Sequence, residues 1–168
     1  MDPVTQTPTK PLDYAVLSSG YAALAGAVLL AARNQDDEPM HPAEIVPLGV
    51  ATFALSKLIA KEKVETWVRE PFVEELPDGD RRPKGRRLRY AVGELLTCSR
   101  CLGAWTSLGL VGLRVTRPRE ARLVIGLLGA TAINDFLQAG FSYTTARCDL
   151  AQQQAEAPSA PAPRFTHS

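Results

Sequence analysis

The chain has 168 residues, room for one domain, and a formal net charge of +1, which lacks the positive excess of a nucleic-acid binder. Its three cysteines are too few for a disulfide scaffold, and the odd number excludes full internal pairing. Mean hydropathy is near zero, yet the apolar residues are gathered in blocks with the charges between them, the pattern of a small multi-span membrane protein.

Residues 1–12 are rich in Pro and Thr and have no apolar period, so a disordered N-terminal segment is expected. A membrane helical domain is expected over 13–148. Its first block, Tyr14 to Ala32, holds nineteen residues without a charge, roughly 28 Å of helix and close to the thickness of a bilayer core. A signal peptide is the competing reading. The long apolar core, and a leader with Lys10 as its one cation, favour a retained span. Ser19, Ala23 and Ala27 repeat at four-residue spacing, as do Ala22 and Gly26, which predicts a face for close helix approach.

After a short acidic loop, Ala43 to Ala60 forms the second block, with Pro47 early and Lys57 placed to snorkel. Leu58, Val64, Val68 and Phe72 continue a helical stripe beyond it, opposite Lys61, Glu62, Lys63 and Glu65, and Trp67 suits an interfacial belt. Glu74 to Arg89 reads as a polar loop, with a turn at Pro77-Asp78-Gly79-Asp80 and a dense basic run from Arg81 to Arg89. Nucleic acid is one reading of that run. Beside two spans, a cytoplasmic loop touching anionic headgroups is preferred, and no nucleic-acid partner is expected.

The third block, Leu95 to Val115, spans only if Arg100 snorkels back to the basic loop. Arg114, Arg117, Arg119 and Arg122 crowd the following loop. The fourth block is Leu123 to Tyr143, with Thr131, Asn134, Asp135, Gln138 and Ser142 on one polar seam. From Asp149 to the end the chain is Ala, Gln and Pro, and a disordered tail is expected over 149–168. The fold expected is therefore all-α, a small transmembrane bundle of about four spans with disordered ends.

Nine Lys and Arg lie between blocks two and three, against one between blocks one and two. The basic loop 74–89 and the N-terminus are therefore expected on the cytoplasmic side of the cell membrane. Four spans then turn the arginines after block three outward, against the rule; a re-entrant third block removes the conflict.

Three stretches resemble the bacterial family called domain of unknown function 1360, small membrane proteins with a sporulation-associated member in bacilli. They are Leu55-Ser56-Lys57-Leu58-Ile59, then Arg69-Glu70-Pro71-Phe72, then the run from Gly93 to Trp105. That run matches a Glu-Leu-Leu-x-Cys-x-x-Cys-x-Gly-x-Trp element through Glu94, Cys98, Cys101, Gly103 and Trp105, and Arg69, Pro71 and Phe72 match the shorter one. The resemblance covers about Val46 to Phe141. Lys57 stands where arginine is usual, and Glu62 where aspartate is expected. The family has no established activity, so the resemblance implies architecture more than chemistry.

Cys98 and Cys101 admit three readings. As neighbours on a helix start beside Arg100 they fit a dithiol redox site. As metal ligands they supply two of the four that zinc wants; His41 is expected on the far side, so a zinc site needs a second copy of the chain or Cys148. As small apolar residues they simply pack a helix junction. No companion base, phosphate loop or nucleophile motif supports hydrolase or transferase chemistry. Asp135 is the carboxylate inside an apolar block, and a partner in Arg100, or second in Lys57, is expected for it. The function expected is a non-enzymatic integral membrane component without cofactor. It acts through lipid, other membrane proteins or self-association. The alternative is a thiol-disulfide or metal-responsive protein using Cys98 and Cys101.

Overall fold

The computed structural model describes residues 8–34, 40–77 and 79–156; the side chains of residues 64, 155 and 156 are not considered. Six helices and one short hairpin follow in chain order: α1 Pro11–Arg33, α2 Pro42–Lys61, α3 Thr66–Arg69, β1 Val73–Glu75, β2 Arg81–Pro83, α4 Leu88–Thr97, α5 Ser99–Thr116 and α6 Pro118–Glu156. A 3-10 turn, Lys63–Glu65, precedes α3. The chain divides into two compact units, residues 1–132 and 133–168, with α6 running through the division.

In the first unit three helices lie side by side, and their contacts give the directions. Tyr21 meets Trp105 and Val28 meets Gly112, so α1 and α5 run in step. Glu44 meets Arg114 while Ser56 meets Thr106, so α2 runs against both. Of the nine buried apolar residues among those described, six are alanine (Ala51, Ala54, Ala60, Ala91, Ala121 and Ala132). Small side chains thus form the inside. Large ones such as Leu24, Leu29, Leu30, Ile45, Val46 and Phe53 face outward.

By length and apolarity three helices can cross a membrane: Pro11–Arg33, Pro42–Lys61 and Pro118–Gln154. The 18-residue α5, with Arg100 and Arg114 within it, is not among them, so the expected four spans stand at three by this measure. The third block is also two helices rather than one. Thr97 turns its hydroxyl back to the Glu94 carbonyl, and Cys98 adopts an extended backbone before α5 begins. Side chains that bond to local backbone favour such caps over helix interior.

The helical stripe predicted past Ala60 ends at Lys61, because Glu62 is extended. The polar loop predicted over 74–89 contains the antiparallel hairpin, with Val73 opposite Pro83, Glu74 opposite Arg82 and Glu75 opposite Arg81. Its turn is where the sequence places it: the Gly79 N–H donates to the Leu76 carbonyl at 2.9 Å, and φ of +88° suits glycine. The face predicted for close approach on α1 is exposed at Ser19, Ala23 and Ala27; Tyr14, Leu17, Tyr21 and Val28 turn inward instead.

Two stretches expected to be disordered, residues 8–12 and 149–156, are ordered. Thr9 is buried, the Pro8 carbonyl accepts the Arg87 N–H at 3.0 Å, and α1 starts at Pro11. Residues 149–156 continue α6. Residues 1–7 and 157–168 lie outside the described residues.

In the second unit α6 continues as helix from Ile133 to Glu156. Ile133, Phe136, Leu137 and Phe141 are exposed on it, and Asp135 is half-buried.

Candidate functional site

The candidate residues of the first unit gather where α2 ends and α5 begins. The free carbonyls of a helix C-terminus need partners, and here two arginines supply them. Arg69, fully buried, donates to the carbonyls of Ile59 and Glu62 at 2.5 and 2.8 Å. Arg81 donates to those of Ala60 and Lys61 at 2.6 and 2.9 Å. Glu75 holds both guanidinia, 2.9 Å from Arg69 and 3.3 Å from Arg81. The bond from Arg69 holds the Glu75 carboxyl below its usual range, and the charge of Arg81 adds to it. The Arg-x-Pro-Phe element is therefore a clamp that ties the hairpin to the end of α2. Phe72 and Pro71 complete it: the Phe72 carbonyl accepts the Lys84 N–H at 2.7 Å, and that of Pro71 accepts Arg89 at 2.6 Å.

Glu94, on α4, accepts a bond of 2.5 Å from the Tyr14 hydroxyl, which also meets Thr9 at 3.1 Å. Asp13 accepts the Lys10 N–H at 2.8 Å and pairs with Arg87 at 3.0 Å. Arg87 has a φ of +59°, costly for a side chain with a Cβ, and these partners hold it there. The sequence does not announce these partners, because they lie about 80 residues from each other. Trp105 packs edge-on against Tyr21, with ring centroids 5.4 Å apart. Trp67 is exposed. Gly103 faces α2, and a Cβ there would make an ordinary contact, 3.7 Å from the Ser56 hydroxyl. That hydroxyl and Thr106 share a buried 2.8 Å hydrogen bond.

Cys98 is the cap of α5 rather than a member of its face. The Cys101 N–H lies 3.4 Å from the Cys98 sulfur. The Cys101 thiol donated to Cys98 holds the Cys98 thiol below the ordinary cysteine value. The N–H groups of Cys101 and Arg100 and the Arg100 charge act in the same direction, against partial burial. All three cysteines are free. Among the described residues no group of three or more His, Cys, Asp or Glu could hold a metal. His41 caps the opposite end of α2, accepting the Ala43 N–H at 3.3 Å. Lys57 lies 3.5 Å from Glu62. Asp135 belongs to the second unit, Arg100 and Lys57 to the first.

The family model described as protein of unknown function (DUF1360) matches residues 47–141. A sporulation protein of Bacillus subtilis, YjcA, is 28% identical over 102 residues, covering 56% of this chain and 86% of the relative. No solved structure matches.

Proposed function

This chain belongs to the DUF1360 family of proteins of unknown function, and from that premise we propose that it is a non-enzymatic integral membrane component of a bacterial cell membrane. One observation carries the reading. The inside of the first unit is mostly alanine while leucine, isoleucine and phenylalanine face out. In water such a surface aggregates; in lipid, where small residues drive helix packing, it is the stable arrangement. We take α5 as a fourth crossing, since it lies along α1 and α2 for its whole length. The bidentate pair of Arg114 with Glu44, at 2.7 and 3.1 Å, neutralises one of the outward arginines that the positive-inside rule disfavours. The protein is proposed to work by contact with lipid and with other membrane proteins or a second copy, in the process that its sporulation relative names. Alkaline carbonate extraction tests the reading: the protein should stay with the membrane pellet, and release into the supernatant contradicts it.

The placement of Cys98 as the cap of α5, its sulfur facing the Cys101 N–H, supports a second reading, a thiol-disulfide or metal-responsive element. It requires that the accessible thiol count of purified protein change with reductant or chelator, and that Cys98→Ser abolish the change. An unchanged count leaves the pair as packing.

A further inference from the structure

An open groove of about 460 Å³ lies between α2 and α5. Its mouth carries Lys57, Lys61 and Arg100, with Ser99 beside them; its floor is Gly49, Phe53 and Gly103. Lys57 also pairs with Glu62 at 3.5 Å, and Lys61 and Arg100 stand beside it at the mouth. The two hydroxyls on the wall are already committed. Thr52 donates to the Leu48 carbonyl at 2.8 Å, and Ser56 lies 2.6 Å from the Thr52 carbonyl and bonds Thr106. Below its mouth the groove is therefore apolar in effect. A Cβ on Gly49 would meet nothing within 4 Å, so the deep end is open.

The twelve residue steps from Lys61 back to Gly49 measure about 18 Å of helix, close to one leaflet, half of a core about 30 Å thick. Charge at one end and a leaflet-deep apolar run at the other are the two halves of a phospholipid. A free phosphate fits the first half and leaves the second empty.

We propose that this groove seats one anionic phospholipid of the leaflet on the hairpin side. Its phosphate lies among Lys57, Lys61 and Arg100, and one acyl chain runs past Phe53 to Gly49. The proposal rests on the membrane reading above and names the lipid class and the place where it is held.

Native mass spectrometry of detergent-purified full-length protein, titrated with dioleoyl phosphatidylglycerol or dioleoyl phosphatidylcholine, tests it. The expected result is one retained phosphatidylglycerol under conditions that strip phosphatidylcholine. The double variant Lys61→Gln/Arg100→Gln should weaken retention about tenfold. Gly49→Phe keeps every charge, fills the deep end and should weaken it too. The hairpin variant Arg82→Gln/Arg86→Gln should leave it unchanged. Helix content by circular dichroism confirms that each variant is folded, and the double charge variant alters solvent-facing ends, so it remains informative if Gly49→Phe does not fold. Equal retention of the two lipids overturns the proposal, as does loss of preference in the hairpin variant. So does indifference to Gly49→Phe, which marks a phosphate site alone, or a second copy of the chain displaced by Gly49→Phe in place of lipid. If these fail while carbonate-washed membranes keep the protein, the groove is wrong and the membrane reading stands; release from the membrane removes both.

Discussion

Arg69 is the most committed side chain in the first unit, with no exposed surface and bonds to two carbonyls and to Glu75. Removing its guanidinium leaves the Ile59 and Glu62 carbonyls without that donor. Arg69→Met should therefore lower unfolding stability by about 3 kcal/mol, and Arg69→Lys should not restore it, since one ammonium cannot reach the separate acceptors that a forked guanidinium does. Chemical denaturation of the detergent-solubilised protein measures both, with exposed Arg82→Gln as the near-neutral comparison. Glu75 makes the same clamp sensitive to pH. Its folded carboxyl is held low, so its contribution is complete above the unfolded value of about 4.3 and disappears as pH falls through the lower folded value. The stability gap between wild type and Glu75→Gln should begin to close as pH falls below about 4.3 and should vanish below the lower folded value. A gap that persists at the acid end means Glu75 is not what holds the two arginines.

At the scale of elements, Gly93 decides how α4 meets the hairpin. A Cβ there would come 2.5 Å from the Phe72 carbonyl oxygen and 2.8 Å from Pro83. Backbone cannot yield as a flexible side chain does, so Gly93→Ala should cost about 2 kcal/mol. Gly49→Ala, in open space on α2, should gain about 0.5–1 kcal/mol from helix propensity. Thermal melts of the two alanine variants should move in opposite directions; parallel shifts contradict the packing described. The contrast also shows what could be read beforehand. α1, α2 and the apolar part of α6 were legible, because an uncharged run of span length is a local property. The hairpin was not, since Val73-Glu74-Glu75 and Arg81-Arg82-Pro83 carry no strand alternation and gain their order from Arg69 and Arg81 reaching back to α2. The break at Cys98 was missed because Leu95 to Val115 reads as one apolar block, and only Thr97 and Ser99 hint at a cap. Of the candidate site, the family stretches pointed to Arg69 and Glu94 without their reasons. Glu75, Arg81 and Tyr14 were invisible as partners because the fold, not the spacing, brings them there.

For the whole molecule, the basic residues turn out to be builders as much as address labels. Arg69, Arg81, Lys84, Arg87 and Arg89 all bond backbone carbonyls or carboxylates, which leaves fewer cations to meet headgroups than the count of nine implies. We propose the orientation that this count favours, since a charge bonded at the membrane end is still costly to translocate. The central proposal is that α1 and α2 cross a bilayer with the hairpin on the cytoplasmic side. The most direct test is labelling of intact cells with a membrane-impermeant maleimide, using a background in which Cys98, Cys101 and Cys148 are serine. Glu74→Cys on the hairpin should be protected until the cells are permeabilised, and Ala43→Cys at the start of α2 should label at once. Immediate labelling of Glu74→Cys with protection of Ala43→Cys would invert the protein, and labelling of neither before permeabilisation would contradict the crossings themselves.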